Sequence, residues 1–252
     1  MFTKDSIHFE ETLLIDMFAK DPVSLKENII DTIFRLSSKI ISELGITTLN
    51  NVIIRKQILF DSKRGVVFIR SGDVQLSYLT AIDLIQSEDT ERFKKGLATL
   101  RHELVHVYDR QMVLLKIHSK LSDNGADGYA VWTEFYATHS TFYIQEDDSL
   151  YDAFENVFNN GGDKKYYLSR VLGYYLHSEH STRCDRLLSV NIGKQLLAEI
   201  TIMLKIMLAK YPHIDICHFA SLNNLIEKAL NTPIELGEPI DIYDWLRKKQ
   251  NK

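Results

Sequence analysis

The period of the hydrophobic positions changes twice along the chain. Over residues 24–44, Ile29, Ile30, Ile33, Phe34, Leu36, Ile40 and Ile41 recur mainly at three- and four-residue steps. That spacing predicts an amphipathic helix, and Gly45 supplies the residue that ends one well. Residues 6–20 carry Ile7, Leu13, Leu14 and Phe18 at the spacing of a shorter helix, which Asp21-Pro22 breaks. The pattern then becomes denser and β-branched over residues 51–60 and 65–70. The Asp61-Ser62-Lys63-Arg64-Gly65 stretch between them has turn chemistry, so the two runs predict an antiparallel hairpin. Residues 74–80 fit a third strand or the start of a helix equally well.

From residue 87 the helical period returns. Ser87-Glu88-Asp89-Thr90 offers N-cap residues. Phe93, Leu97, Leu100, Leu104, Val107 and Tyr108 then form a stripe, and the pattern continues toward Ile117. His102 and His106 lie beside the stripe, so this helix buries one side and presents its histidines to a cleft. After a loop at residues 122–125, a second helix is expected over residues 127–145. Trp132, Phe135, Tyr136, His139, Phe142 and Tyr143 form its bulky face, with Glu134 on the other. Helices are also expected near residues 150–158, 166–177, 192–210 and 219–230, then an irregular tail until residues 242–248. The fold class is therefore α+β, predominantly α. A small antiparallel sheet, a motif helix and a Glu-bearing helix occupy residues 1–146, and a helical region occupies residues 147–252.

Composition narrows the function classes. The 252 residues carry a formal net charge of −4, and no basic block interleaves with aromatics, which argues against a nucleic-acid partner. Two cysteines, Cys184 and Cys217, are too few for a disulfide framework and fit a reducing compartment. The first residues lack a basic segment followed by an apolar one. The apolar run at 196–209 is short and contains Glu199 and Lys205. These features predict a cytoplasmic protein with no membrane partner.

The candidate chemistry lies in His102-Glu103-Leu104-Val105-His106. Four residues are little more than one helical turn, so both imidazoles project from one face. Two imidazoles so placed suit Zn²⁺, with Glu103 beside them as a general base. A catalytic zinc takes three protein ligands. Asp109 and Met112 stand where the metzincin extension requires Gly and His, which excludes that class. Glu134, 28 residues after His106, fits best as the third ligand because the chain has room to turn and return antiparallel. His118 and His139 compete for the role. Asp109, one turn beyond His106, is a candidate to orient that imidazole.

These residues resemble a zincin metallopeptidase of the gluzincin type, in which two histidines of the helical motif and a glutamate of the next helix bind zinc. HELVHVYD followed by TEFYATHST is also similar to the motif pair of the mitochondrial inner-membrane processing peptidase family. The likeness falls within residues 50–145. It implies a zincin-like core and a zinc-dependent peptidase in which Glu103 takes a proton from water and passes it to the leaving amine. It also implies a Tyr or His that stabilises the oxyanion, for which Tyr174, His177 and His180 are candidates. The partner would be a peptide or protein substrate, with the strand at residues 65–70 pairing to it. Thr138 stands where some gluzincins place an aspartate. The alternative is a zincin-like, non-proteolytic binding or regulatory module, since more than 100 residues follow Gln145 without a further catalytic motif.

Overall fold

The structure, a computed structural model, describes residues 2–10, 22–56, 64–68, 71–141, 144, 148–177 and 182–232. Among them the fold is α+β and predominantly α, with one small sheet. The sheet contains β1 (Ile7–Phe9), β2 (Val52–Arg55), β3 (Gly65–Phe68) and β4 (Asp73–Ser77), in the order β1-β2-β4-β3. It is mixed rather than antiparallel. β1 and β4 run parallel to β2, and only β3 runs antiparallel to β4.

The expected hairpin between residues 51–60 and 65–70 is therefore wrong. β2 pairs with β4, and β3 is placed on the edge. The tight connection is the next one, where Gly72 at φ 75° donates its N–H to Phe68 O at 2.8 Å. Only glycine takes that φ without steric cost. Burial explains the order: Val52, Ile54, Val74 and Leu76 are wholly buried, whereas β3 is half-exposed. The most apolar strands take the centre, and a short flank of Gly-Val-Val-Phe takes the edge.

Residues 7–9 are strand, not the short helix expected from residue 6, and residues 11–20 lie outside the described ones. Helix α1 (Pro22–Leu44) ends at Gly45, whose φ is 71°. The ambiguous stretch at residues 74–80 is both strand and helix, since β4 runs straight into α2 (Tyr78–Leu84). Ser77 caps that helix by accepting the Thr80 N–H. The motif helix α3 (Glu91–Asp109) starts where Thr90 Oγ1 accepts Phe93 N–H at 3.1 Å. It continues through a π-helical turn, Arg110–Leu114, and further short turns to Lys120.

The Glu-bearing helix α4 spans Asp123–Thr141. It starts earlier than expected because the loop-like residues 122–125 are its cap and first turn, with Ser122 Oγ accepting Gly125 N–H. The remaining helices are α5 (Asp148–Asn160), α6 (Lys164–His177), α7 (Thr182–Asn191), α8 (Lys194–Lys210) and α9 (Ile216–Asn231). α7 is a helix the hydrophobic pattern did not reveal, and the expected one at 242–248 lies outside the described residues. No helix of the described residues is long and apolar enough to cross a membrane. Cys184 is buried and Cys217 exposed, both as free thiols.

Two hydrophobic clusters divide the molecule. One joins the sheet to α1, α2 and α3 and ends at Val107. The other joins α4 to the later helices and begins at Val113. α3 and α4 thus face each other across the seam, each anchored in its own core. Contact is close where glycines permit it. A Cβ on Gly128 of α4 would meet the Phe219 carbonyl oxygen of α9 at 1.8 Å, and one on Gly173 of α6 would meet Phe135 O of α4 at 2.9 Å.

Candidate metal centre

α3 and α4 run antiparallel across the seam. His106 meets Thr133 and Glu134, and one turn further along α3 Asp109 meets Tyr129 and Trp132, one turn earlier on α4. His102, His106 and Glu134 form the one group among the described residues that could hold a metal ion. The imidazoles meet nearly edge-on-face, at 83°, and converge through their Nε2 atoms, 3.1 Å apart. The Glu134 carboxylate straddles them, with Oε2 at 3.5 Å from His102 Nε2 and Oε1 at 3.6 Å from His106 Nε2.

These distances suit zinc. Ligands at about 2.0–2.1 Å around a tetrahedral centre lie roughly 3.3–3.4 Å from one another, and the three observed separations bracket that value. Glu134 Oε2 is buried, and His102 Nε2 stands only at the limit of hydrogen bonding to it. Burial opposes ionisation of Glu134, but His106, His102 and Arg170 outweigh it and hold the carboxyl at about 2. The group is thus an anion aimed at two imidazoles, a donor set suited to a divalent cation.

Glu103 follows His102 by 100° around the helix, which turns it away from Glu134 and toward β3. There it lies against Gly65, where a Cβ would stand 2.6 Å from its Oε1. β3 is held in place just before this contact. The Arg64 carbonyl accepts bonds from Ser77 N–H at 2.9 Å and from the Thr80 hydroxyl at 2.8 Å, and the Arg64 guanidinium pairs with buried Asp83. Glycine at position 65 therefore leaves room for the carboxylate. Gly65→Ala is expected to displace Glu103 without touching His102, His106 or Glu134. A structure of the variant should show the Glu103 carboxylate moved out of this slot with His102, His106 and Glu134 in their wild-type positions.

A cleft of about 400 Å³, partly open to solvent, contains these groups and is lined by Gly65, Val66 and Val67 of β3 together with Thr133 and Tyr166. Tyr166 is the aromatic that lines this cleft, and the sequence reading missed it. α6 runs alongside α4 in the same direction, with Lys165 against Asp127, Gly173 against Phe135 and Thr138, and His177 against His139. Tyr166, Arg170, Gly173 and His177 occupy one stripe of α6, at steps of four, three and four. Arg170 Nη1 donates to the Tyr166 hydroxyl at 3.2 Å. Burial raises the Tyr166 pKa, so its hydroxyl remains a protonated donor.

The expected oxyanion candidates are placed elsewhere. Tyr174 is eight residues past Tyr166 and so turns off the stripe. It is buried against Tyr151 of α5. His177 shares the stripe but is three turns away, beside His139. His180 lies outside the described residues. Of the competing ligands, His118 is exposed and His139 stacks on Phe135. Thr138 is buried against α6 near Gly173.

Asp109 does not touch His106. It is wholly buried and accepts the Tyr129 hydroxyl at 2.7 Å and Trp132 Nε1–H at 3.3 Å. Burial pushes its carboxyl up to about 6 against these hydrogen bonds. The residue that reaches His106 is Thr133, whose Oγ1 lies 2.9 Å from Nδ1. Compared with known proteins, the chain matches no family model, no curated protein and no solved structure.

Proposed function

We propose that this chain is a zinc-dependent metallopeptidase with a zincin-like core. What carries the reading is the convergence of His102 Nε2, His106 Nε2 and the Glu134 carboxylate within 3.6 Å of one another. Glu103 stands beside them in the same cleft. A zinc ion held by these three residues supplies the positive charge that acidifies water and polarises a carbonyl oxygen.

The chain's own residues account for the remaining chemistry. Glu103 takes a proton from the attacking water on its carboxylate and returns it to the nitrogen of the leaving amine. Its burial beneath Gly65 keeps that proton from bulk solvent. Tyr166 donates a hydrogen bond to the oxygen on which negative charge develops. β3 is an edge strand along the cleft, and an extended peptide adds to it by main-chain hydrogen bonds. Val66 and Val67 give that peptide apolar surface.

Two measurements test the reading: the metal content of the purified chain, and its cleavage of a diverse peptide library. One zinc per chain with chelator-sensitive cleavage supports it. A chain that never binds zinc overturns it, and bound zinc without turnover favours the alternative of a zincin-like binding module. Tyr166→Phe separates the roles within the cleft. It should keep the zinc and the substrate KM while kcat falls by about 10²–10³-fold, the usual effect of removing one oxyanion donor.

A further inference from the structure

We infer that Thr133 is a positioning residue that decides which nitrogen of His106 is free for the metal, and that Asp109 sets the choice by acting through Thr133. The inference rests on the metal-site reading above. A neutral imidazole offers its lone pair only at the nitrogen that carries no proton, and the partner of the other nitrogen selects the tautomer. His106 turns Nε2 toward His102 and Glu134. Its Nδ1 faces Thr133 Oγ1 at 2.9 Å in a buried setting.

A hydroxyl donates and accepts equally well, so Thr133 alone selects neither tautomer. The selection comes from what lies behind it. The Asp109 carboxylate, wholly buried, is bonded to Tyr129 and Trp132, four residues and one residue before Thr133 on α4, which places it beside the Thr133 hydroxyl. A carboxylate only accepts. The hydroxyl proton of Thr133 therefore goes to Asp109, and its oxygen is left to accept Nδ1–H of His106. Nε2 then carries no proton and faces the other two ligands. Tyr129 and Trp132 hold the carboxylate from its remaining sides at 2.7 and 3.3 Å, which keeps it in register with the hydroxyl.

The helix pairing builds this chain of contacts in one step. α3 and α4 are antiparallel, so the turn after His106 lies against the turn before Glu134. Asp109 thus meets Tyr129 and Trp132, with Thr133 between them and the imidazole. Neighbouring positions on α4 serve both sides of His106: Thr133 reaches Nδ1, and Glu134 reaches Nε2. Metal-ligating histidines ordinarily donate directly to a carboxylate, carbonyl or water; here a threonine hydroxyl is interposed, and no residue between 99 and 109 would reveal it.

The test uses the full-length chain with Thr133→Val, which keeps the branched shape and removes the hydroxyl, and Thr133→Ser, which keeps the hydroxyl. In the metal-free protein, at a pH where the ring is neutral, ¹⁵N long-range correlation spectra show which nitrogen of His106 carries the proton. Wild type and Thr133→Ser should show Nδ1–H, and Thr133→Val should move population to Nε2–H. Zinc affinity, read by competition with a chromophoric chelator, should fall about 10–100-fold in Thr133→Val and stay near wild type in Thr133→Ser. Asp109→Asn should shift both readouts in the same direction as Thr133→Val. Wild-type tautomer and affinity in Thr133→Val would overturn the inference. Should that variant not fold, the wild-type spectrum decides, because Nε2–H there contradicts the assignment. A wild type that binds no zinc defeats the peptidase reading, whereas the tautomer comparison still judges Thr133.

Discussion

A Glu103→Gln protein is expected to bind zinc as tightly as the wild type and to cleave almost nothing. The amide has nearly the shape of the carboxylate and fits the same slot beneath Gly65, so neither the fold nor the three ligands should change. It cannot take up a proton at neutral pH. General acid–base assistance contributes about 10²–10⁴-fold in rate. In the proposed peptidase cycle Glu103 performs two transfers, from water and to the amine, so the loss should lie at or beyond the upper end. Metal content and kcat/KM for one peptide, measured on both proteins, decide it. Retained cleavage by Glu103→Gln removes Glu103 from the chemistry.

This contrast is informative because Glu103 and Glu134 were both legible in the sequence, for different reasons. His102, Glu103 and His106 are set by the pitch of one helix, which is local. Glu134 could be found because it stands on the less bulky face of the next amphipathic stretch, 28 residues after His106, and the antiparallel return of α4 places its carboxylate beside both imidazoles. What the sequence concealed is non-local. Residues 51–60 and 65–70 are consecutive, yet their strands do not pair, since the order of strands depends on which are apolar enough for the centre. The Ser71-Gly72 turn was the available sign that β3 pairs forward to β4.

Side-chain partners across helices were equally hidden. Tyr166 was passed over for the denser cluster at 172–180. The signal that could have found it is the stripe Tyr166, Arg170, Gly173, in which a glycine one turn past an arginine marks close helix contact. Asp109 was correctly placed near His106 along the chain, but a side chain three residues on points one turn away, toward Tyr129 and Trp132. Only the packing of α4 brings Thr133 between them.

The second large effect is on the metal itself. Glu134→Gln should lower zinc affinity by more than about 100-fold, since losing even an outer partner of a ligand costs 10–100-fold. The variant replaces the only anion among the three donors with a neutral amide, and two imidazoles alone leave the charge of a divalent cation uncompensated in a partly buried cleft. Stability should report the same loss. A ligand that binds only the folded state stabilises it by about 4 kcal/mol at a thousand times its Kd, so zinc should raise the Tm of the wild type in a concentration-dependent way and leave Glu134→Gln unmoved at the same concentration. The metal-free variant should still fold, because the two hydrophobic clusters are assembled from residues other than the ligands. That separation matters for interpretation. If Glu134 served only as an ion-pair partner of the histidines, its replacement would change the melting of the metal-free chain and leave the zinc-induced shift intact. A zinc-induced shift that persists in Glu134→Gln therefore removes Glu134 from the ligand set.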